Sequence, residues 1–366
     1  MRRVTVWALF GAMAVLVWPV LAGPRPIAVP VATQPAPGGI VTAPVRGAYE
    51  IGEDLFFHET FAGNGRTCAT CHDPRNEFAM SPQLARERYA LDPSHPLFRP
   101  VDSDDGGGAD YHTVLERALF NVNITLHPSV TLPDFPGKRT ITVRRGVPSI
   151  SNVAITGPYL ADGRAAKLQD QAAGAIADHI QAARRVLPKE LDALAAFETE
   201  MYYPLRLRAM TDASDPLPKP PGFSLTASNP SALRGKEQFD MRCRRCHDGE
   251  TFDQPKNSSF PKFSSVFVSE VNKPGLPMIR LRFVQSDGTP LIVETPDPGR
   301  AATTGDVFDL NAFETPSLRG LKHTAPYFHD NSAATLEEVV DHYDDHFHFR
   351  MTLEEKQDLI TFLELL

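Results

Sequence analysis

The pentapeptide Cys68-Ala-Thr-Cys71-His72 has a second copy in the chain, Cys243-Arg-Arg-Cys246-His247, and both read C-x-x-C-H. Two cysteines at this spacing can each form a thioether bond to one vinyl group of a porphyrin, and the histidine that follows then points a ring nitrogen at the iron. Histidine is a common proximal ligand of haem iron. The chain has 4 cysteines, so the two motifs use every one. The sequence therefore predicts two covalently bound haem c groups, with His72 and His247 as iron ligands.

Two other uses of four cysteines are alternatives at this point. In an exported protein they could form two disulfides, and two C-x-x-C pairs could bind zinc. Neither use requires a histidine directly after both pairs, so haem attachment is the favoured interpretation.

The composition is that of a soluble globular protein. The chain has 366 residues, of which 42% are hydrophobic and 22% are charged, and 33 are proline. This length allows two domains of ordinary size, and the prolines predict many loops between short helices. The net charge of -8 does not favour nucleic acid or an anionic membrane as a partner. It suits a basic electron carrier or a neutral protein.

The first 22 residues have the features of a cleaved signal peptide. Arg2 and Arg3 form a charged start, and Val6–Val17 is an apolar run too short for a comfortable membrane span. Val20-Leu21-Ala22 ends in a small residue suited to cleavage, although an uncleaved anchor is the alternative. Because c-type haem is attached outside the cytoplasm, export agrees with the motifs. We predict a periplasmic protein with no membrane span in its mature form, and an N-terminal arm over residues 23–46.

A longer repeated pattern follows each C-x-x-C-H motif. Residues 147–162 and 315–330 both read x-P-S-φ-x-x-φ-x-x-T-x-P-Y-φ-x-D, where φ is apolar. Each copy comes after a haem motif and before a predicted helix, which indicates an internal duplication. The predicted fold is therefore mainly α, with two cytochrome c-like haem domains. We place the N-terminal domain at residues 47–215 and the C-terminal domain at residues 216–366.

Capping signals predict where three helices of the second half begin. Asn229 followed by proline marks the start of the helix that leads to Cys243. Thr335 precedes another apolar periodic segment, and the capping box Thr352-x-x-Glu355 opens the last helix. The apolar face of that last helix is predicted to consist of Leu353, Leu359, Ile360 and Leu363.

The stretch between Met80 and Arg139 is rich in loops. Its acidic and glycine-rich run, Asp102–Gly108, is predicted as a solvated loop, with calcium binding as the alternative. Its histidines are His95, His112 and His127. Any of them could reach the first iron from the distal side, but loop or surface positions are the favoured interpretation.

These residues resemble a known family, the bacterial di-haem cytochrome c peroxidases and their MauG-like relatives. The similar pieces are Leu55-Phe56-Phe57, the two repeated blocks, Asp162–Ala166, Gln171–Gly174 and residues 324–338. The resemblance covers most of residues 50–80 and 146–366, and it makes residues 80–140 look like a long loop-rich insertion in the first domain. It implies that hydrogen peroxide reacts at the N-terminal haem and that the six-coordinate C-terminal haem passes electrons. It also implies a calcium ion between the modules.

The resemblance also assigns residues to the two sites. Tyr343 falls where MauG-like enzymes have a tyrosine, and the peroxidases a methionine, as the sixth ligand of the second iron. An anionic oxygen ligand favours oxidised iron and suits an oxidising role; a core tyrosine is the alternative. Three nearby histidines compete with it as ligands: His342, His346 and His348. In the first site Gln171 is a hydrogen-bonding group, and Arg164 at a turn suits a haem propionate.

The chain departs from the family in the peroxide pocket. The carboxylate that helps to break the peroxide bond aligns with Gln181, which cannot act as a general acid-base. The candidates to replace it are His179, Asp178 and Asp170.

Two further departures lie between the modules. The family's tryptophan aligns with Ala161, and both tryptophans of this chain lie in the predicted signal peptide, so electron transfer would use Tyr159 or Tyr327. The side-chain ligand of calcium aligns with Gly146, whereas Thr324 and Pro326 keep the backbone positions. Calcium therefore stays an open alternative.

The sequence thus predicts a periplasmic di-haem peroxidase or oxidase of the MauG-like branch. It would use hydrogen peroxide to oxidise a small cytochrome or a protein side chain. A di-haem electron-transfer cytochrome, in which His112 or His127 closes the first iron, is the main alternative. An oxygenase acting on an apolar substrate is a third. The spin state of the first haem separates an open iron from a closed one.

Overall fold

The structure is a computed structural model that describes residues 47–201, 229–249, 251–254, 261–285 and 287–366. The predicted signal peptide, the N-terminal arm and the domain boundary near residue 215 lie outside the described residues. Residues Arg46–Leu366 form one compact unit. None of the helices in the described ranges has the length and hydropathy that a membrane span requires.

The described part of the chain is mainly helical, which confirms that prediction, and it also contains three small antiparallel sheets. The helices are α1 (Ala48–His58), α2 (Pro82–Leu91), α3 (His112–Arg117), α4 (Leu168–Ala175), α5 (Pro188–Glu198), α6 (Pro230–Arg242), α7 (Val268–Val271), α8 (Ala301–Thr304), α9 (Leu336–Phe347) and α10 (Leu353–Leu363). The strands are β1 (Leu119–Thr125), β2 (Thr140–Gly146), β3 (Phe263–Ser264), β4 (Ile279–Val284), β5 (Pro290–Thr295) and β6 (Phe313–Glu314). Their pairs are β1–β2, β3–β6 and β4–β5.

The three predicted helix starts are confirmed. The side chains of Asn229, Thr335 and Thr352 each accept a hydrogen bond from a backbone N–H of the first turn, at 3.1, 3.3 and 3.2 Å. These bonds satisfy donors that the helix itself leaves unpaired. The predicted apolar face of α10 is wrong at Leu353, which is 87% exposed because it is the first residue of the helix and projects away from the core.

Two helix pairs form the framework of the fold, and both use a glycine at the crossing. A Cβ at Gly52 of α1 would lie 1.9 Å from the Ala193 carbonyl oxygen of α5. A Cβ at Gly235 of α6 would lie 1.9 Å from the Asp358 carbonyl oxygen of α10. Because any other residue would collide with backbone, glycine fixes both close approaches. We call residues 47–201 the N-terminal haem region and residues 229–366 the C-terminal haem region.

Each helix pair encloses an apolar cluster that reaches a cysteine of the nearby motif. In the N-terminal haem region the buried members are Phe56, Phe61, Ile150, Ala172, Ile176, Ile180, Leu194 and Phe197, with Cys68 packed at the edge. In the C-terminal haem region they include Phe239, Tyr327, Leu336, Val340, Ile360, Phe362 and Leu363, with Cys243 at the edge. The two motifs are thus held against equivalent apolar surfaces.

The segment after the first motif has a core of its own, which corrects one prediction. Leu97, Phe98 and Val114 are buried in a cluster formed with α2 and α3. Asp102, predicted in a solvated loop, is fully buried and forms an ion pair with Arg66 at 2.6 Å. The prediction was wrong at Asp102 because composition did not reveal a buried cation beside it.

The two repeated blocks make matching contacts. The Ser149 hydroxyl donates to the Glu77 carbonyl at 2.6 Å, and the Ser317 hydroxyl donates to the Thr251 carbonyl at 2.8 Å. Each serine therefore holds the loop that follows a C-x-x-C-H motif.

Arg145, in β2, joins the two haem regions. Its guanidinium group donates to Asp162 at 2.8 Å and to Asp297 at 2.7 Å, and its side chain is only 5% exposed. The pKa of Asp297 is held below its usual range: burial opposes this shift, but the positive charge of Arg145 outweighs it. Next to Arg145, the Gly146 amide donates to the His329 carbonyl at 2.8 Å.

Candidate functional site

The two C-x-x-C-H motifs have the same local backbone geometry. His72 N donates to the Cys68 carbonyl at 3.0 Å, and His247 N donates to the Cys243 carbonyl at 3.0 Å. In both motifs the second cysteine also donates its N–H to the carbonyl of the first, at 3.1 Å. Both motifs therefore form the same compact backbone turn.

The two motif histidines are oriented by backbone carbonyls. His72 Nδ1 lies 2.8 Å from the Phe78 carbonyl oxygen, and His247 Nδ1 lies 2.7 Å from the Phe252 carbonyl oxygen. An Nδ1–H that donates to a carbonyl leaves Nε2 unprotonated and free to bind a metal. Burial lowers the pKa of both rings, which keeps them neutral. Both residues fit the proximal ligand of a covalently bound haem.

The four cysteines are unpaired thiols. Burial raises the pKa of Cys68 and raises that of Cys243 to about 12, so the neutral thiol is the stable form at both positions. Within the described residues, no group of three or more His, Cys, Asp or Glu side chains is arranged to hold a metal ion. Haem attachment at both motifs therefore continues to rest on the C-x-x-C-H pattern.

His179 is the predicted pocket residue whose charge affects the pKa of His72. It occupies a π-helical turn, Ile176–Ile180, which continues α4. The pKa of His72 is lowered first by burial and then by His179, so the two rings lie within electrostatic reach. Burial also lowers the pKa of His179. Isolated π-turns are frequent at functional sites, and this one carries His179.

A polar network holds this turn in place. The Asn64 side chain donates to the His179 carbonyl at 2.9 Å and to Gln181 Oε1 at 3.1 Å. Arg66 donates to the His179 carbonyl at 3.4 Å and to the buried carboxylate of Asp102 at 2.6 Å. Sequence reasoning missed Asn64, Arg66 and Asp102 as supports of the site, because no motif marks them.

The other predicted residues of the first pocket lie in varied settings. Gln171 is half-buried on α4, and Gln181 is exposed with a left-handed φ of 54°. Arg164 donates to Asp162 at 2.6 Å, so this turn holds it against a carboxylate. Asp170 is exposed, and Asp178 is half-buried.

The three histidines of residues 80–140 lie in different surroundings. His112 is exposed on the first turn of α3. His127 lies against Gly305 and binds the Ser129 hydroxyl at 2.7 Å. His95 accepts a hydrogen bond from the Leu97 amide at 3.1 Å. None of these three acts on the pKa of His72, in contrast to His179.

Tyr343 lies close to the second motif. Burial is the main cause that raises the pKa of its phenol, and Cys243 and Cys246 raise it further. The Tyr343 ring stacks on Phe347 at a centroid distance of 5.7 Å. The phenol is therefore near both cysteines that would hold the second haem, although its role as ligand stays a prediction.

The three histidines that compete with Tyr343 contact other groups. His342 Nε2 lies 2.7 Å from the Val266 carbonyl oxygen. The His346 ring stacks on Phe267 at 5.7 Å, and His348 is exposed. No interaction of these rings with the second motif is present among the described residues.

The side chains at the predicted calcium positions do not fit the ion. Gly146 has no side chain, and a Cβ there would lie 2.2 Å from Asn331 Oδ1. The Thr324 hydroxyl donates to the Leu321 carbonyl at 3.1 Å. Only backbone oxygens of Thr324 and Pro326 remain, whereas calcium takes six to eight oxygen ligands.

Two such motifs in one mainly helical chain are what a di-haem c-type protein requires. Residues 46–211 match the family model of di-haem cytochrome c peroxidase, the CCP/MauG family. Cytochrome-c peroxidase IdrP2 of Denitromonas iodatirespirans is 25% identical over 339 residues, which are 87% of this chain and 80% of that protein. Methylamine utilization protein MauG of Methylorubrum extorquens is 41% identical over 66 residues, 15% of this chain and 19% of that protein.

A solved structure supports the fold. A MauG-like protein associated with microbial copper homeostasis aligns with 87% of this chain and 88% of its own chain, at 20% identity and a TM-score of 0.50. The match over residues 46–211 and the similarity to cytochrome-c peroxidase IdrP2 confirm the resemblance to the di-haem cytochrome c peroxidase and MauG family. These similarities support an oxidoreductase of the peroxidase type, and the matched family implies two haem c groups.

Proposed function

We propose that this chain is a periplasmic di-haem peroxidase or oxidase of the MauG-like branch. It uses hydrogen peroxide at the N-terminal haem to oxidise a redox protein or a protein side chain. The carrying observation is the difference between the residues near the two motifs. His179 contributes to the lowered pKa of His72, whereas Cys243 and Cys246 contribute, after burial, to the raised pKa of Tyr343. The imidazole of His179 suits a haem that reacts with peroxide, and the phenol of Tyr343 suits a haem that transfers electrons.

In the first site, the thiols of Cys68 and Cys71 hold the haem and His72 Nε2 binds its iron. The bound haem supplies the redox chemistry. His179 takes the role of the missing carboxylate: its neutral imidazole accepts the proton of peroxide and returns it to the departing oxygen, which leaves as water. Burial, which lowers the pKa of His179, keeps the ring in the neutral form that accepts a proton.

Three residues support the first site. Gln171 on α4 donates a hydrogen bond to the bound peroxide. Gln181 orients the end of the π-turn through its bond to Asn64, at 3.1 Å. Arg164 places a guanidinium group near a haem propionate, while Asp162 fixes its direction at 2.6 Å.

In the second site, Cys243 and Cys246 would hold the haem through thioether bonds, and His247 and Tyr343 would be the ligands of its iron. A phenolate ligand favours the oxidised metal, so the bound haem would supply an oxidising centre suited to taking electrons from the partner. Between the sites, Tyr159 or Tyr327 carries the electron in place of a tryptophan. Calcium is not part of the proposal.

The proposal includes two haem c domains that arose by duplication, with residues 80–140 as an insertion in the first. The equivalent crossings at Gly52 and Gly235 support it, as do the equivalent braces at Ser149 and Ser317. The boundary near residue 215 follows from the polar and proline-rich composition of residues 211–228. Periplasmic location follows from the signal peptide predicted in residues 1–22 and from the site of c-type haem attachment.

A di-haem electron-transfer cytochrome is the second candidate, and one observation favours it. Because His179 affects the pKa of His72, these two histidines are the candidates to bind one iron together and close it to peroxide. Low-temperature EPR of the resting ferric protein separates the two functions. We expect one high-spin and one low-spin signal of equal intensity, followed by oxidation of both haems when stoichiometric peroxide is added. Two low-spin signals and no response to peroxide would overturn the peroxidase proposal in favour of the carrier.

A further inference from the structure

Glu198 is a buried carboxyl group without a hydrogen-bond partner for one of its oxygens. It is the last residue of α5 and is only 6% exposed. Its Oε2 has no hydrogen-bond partner among the described residues. Buried polar groups are nearly always paired, and an unpaired one in a folded protein needs an explanation. The proposed function assigns Glu198 no task.

The C-terminal haem region has a position equivalent to Glu198, and its residue shows which type of side chain the helix packing favours there. In the crossing of α1 with α5, a Cβ at Gly52 would meet the Ala193 carbonyl and the Phe197 side chain. In the crossing of α6 with α10, a Cβ at Gly235 would meet the Asp358 carbonyl and the Phe362 side chain. Phe197 thus corresponds to Phe362, and the residue that follows each of them is Glu198 in one region and Leu363 in the other.

Leu363 belongs to the apolar cluster that contacts Cys243. The equivalent position in the N-terminal haem region is therefore suited to an apolar side chain, and a carboxyl group there lowers stability. A residue that breaks a local packing rule without a compensating contact is expected at a functional site.

Packing connects Glu198 with the first haem attachment point, because the preceding residue, Phe197, belongs to the apolar cluster against which Cys68 packs. Burial is the main cause that raises the pKa of Cys68, and Glu198 raises it further. Burial and then Glu198 also raise the pKa of Tyr159. Burial alone raises the pKa of Glu198 to about 8, and no charged side chain of the described residues contributes.

We propose that Glu198 is a proton-binding site linked to the oxidation state of the haem held at Cys68. When that haem receives one electron from the redox partner, the Glu198 carboxylate takes up one proton. When the electron leaves, the proton leaves as well. The reason is electrostatic: oxidation adds a positive charge to the haem, which favours the ionised carboxylate, and low-dielectric surroundings strengthen the interaction. The inference rests on the haem attachment that the proposed function assigns to Cys68.

The test is a potentiometric titration of both haems in the holoprotein between pH 6 and pH 9. We expect the midpoint potential of the N-terminal haem to fall as pH rises, by up to about 59 mV per pH unit, the one-electron value for a tenfold change in proton concentration. In Glu198→Gln, which keeps the size of the side chain, we expect this slope to be lost. The C-terminal haem, with Leu363 at the equivalent position, is the internal control and should keep the same slope in both proteins.

Redox difference infrared spectroscopy gives a second readout that does not depend on potentials. Above about pH 8, where the Glu198 carboxyl group is ionised before reduction, reduction of the wild-type protein should add the carbonyl stretch of a protonated carboxyl group, and Glu198→Gln should lack this band. An unchanged slope and an unchanged band in Glu198→Gln would overturn the inference. Peroxide turnover is measured in parallel. If the potential of the N-terminal haem depends on pH through Glu198 but the protein does not react with peroxide, only the proposed function is refuted. Normal peroxide turnover without the slope refutes only the proton-binding site.

Discussion

Helix α5 ends at Glu198 and helix α10 ends at Leu363, and the two residues occupy the same place in their helix crossings. The scaffold around them is shared: a glycine at the crossing, a buried phenylalanine and a motif cysteine at the edge of the core. The differences lie at the positions that face the motifs. The comparison teaches that the shared scaffold holds the motifs, while a few substituted positions set the chemistry of each site.

The second difference concerns how the residue near each motif is supported. His179 sits on a π-turn tied by polar contacts to Asn64 and to the buried pair Arg66–Asp102. Tyr343 sits on the regular helix α9 among aromatic rings, with Phe347 stacked on it. A polar network fixes the turn at the first site, whereas ring packing fixes the phenol at the second.

The largest effect is expected from removing His179, the proposed general acid-base for the reaction of peroxide at the first site. We expect His179→Ala to lower the rate of haem oxidation by peroxide about 10²- to 10⁴-fold, the usual contribution of a general acid-base. Stopped-flow absorption of the holoprotein measures this rate. The control is His58→Ala, whose ring is 76% exposed and pairs with Asp54, and it should leave the rate unchanged. An unaltered rate in His179→Ala, or an equal loss in His58→Ala, would contradict the assignment.

A smaller effect tests the support of the π-turn. Asp102→Ala leaves Arg66 buried without its carboxylate, and breaking a buried ion pair in this way costs about 3–5 kcal/mol. Denaturant unfolding of the holoprotein should show a loss of this size. Arg280→Ala is the control, because its pair with Asp134 is about half exposed on both sides and such pairs contribute about 0–1 kcal/mol. If the two variants lose the same free energy of unfolding, the buried pair Arg66–Asp102 stabilises the protein no more than an exposed surface pair does.

The helical framework was predictable from local signals. The caps at Asn229, Thr335 and Thr352 are set by neighbouring residues, and the structure confirms all three. The two C-x-x-C-H motifs are equally local, because five consecutive residues carry their chemistry. Such features depend on few contacts, so a pattern in the sequence is enough to indicate them.

The supports of the first site could not be predicted in the same way. Arg66 and Asp102 are 36 residues apart in the sequence and meet only in the folded chain, where burial makes their ion pair necessary. The helical spacing of Leu353 places it on the apolar face of α10, but as the first residue of the helix it is exposed. Glu198 looks like an ordinary surface residue of an amphipathic helix, and only the crossing with α1 buries it. Each of these outcomes depends on tertiary packing.

The smallest expected effect sharpens the comparison of Glu198 with Leu363. The folded protein holds the proton of Glu198 up to about pH 8, whereas an unfolded glutamate loses it near its ordinary value of about 4.3. Between these values the folded state binds more protons than the unfolded state, so the free energy of unfolding falls as pH rises. Below this window both states are protonated, and above it both are ionised.

Glu198→Leu, which introduces the residue of the equivalent position, should remove this decline. We expect it to raise the free energy of unfolding by about 1–3 kcal/mol at pH 8 and by less at pH 5, because the wild-type carboxyl group is then neutral. The converse variant, Leu363→Glu, should create a decline of the same sign in the C-terminal haem region. Denaturant unfolding at pH 5 and pH 8 measures both. The contradicting result is an equal rise in the free energy of unfolding of Glu198→Leu at pH 5 and at pH 8. In that case the substitution stabilises the protein through better packing, and ionisation of the buried carboxyl group has no part in it.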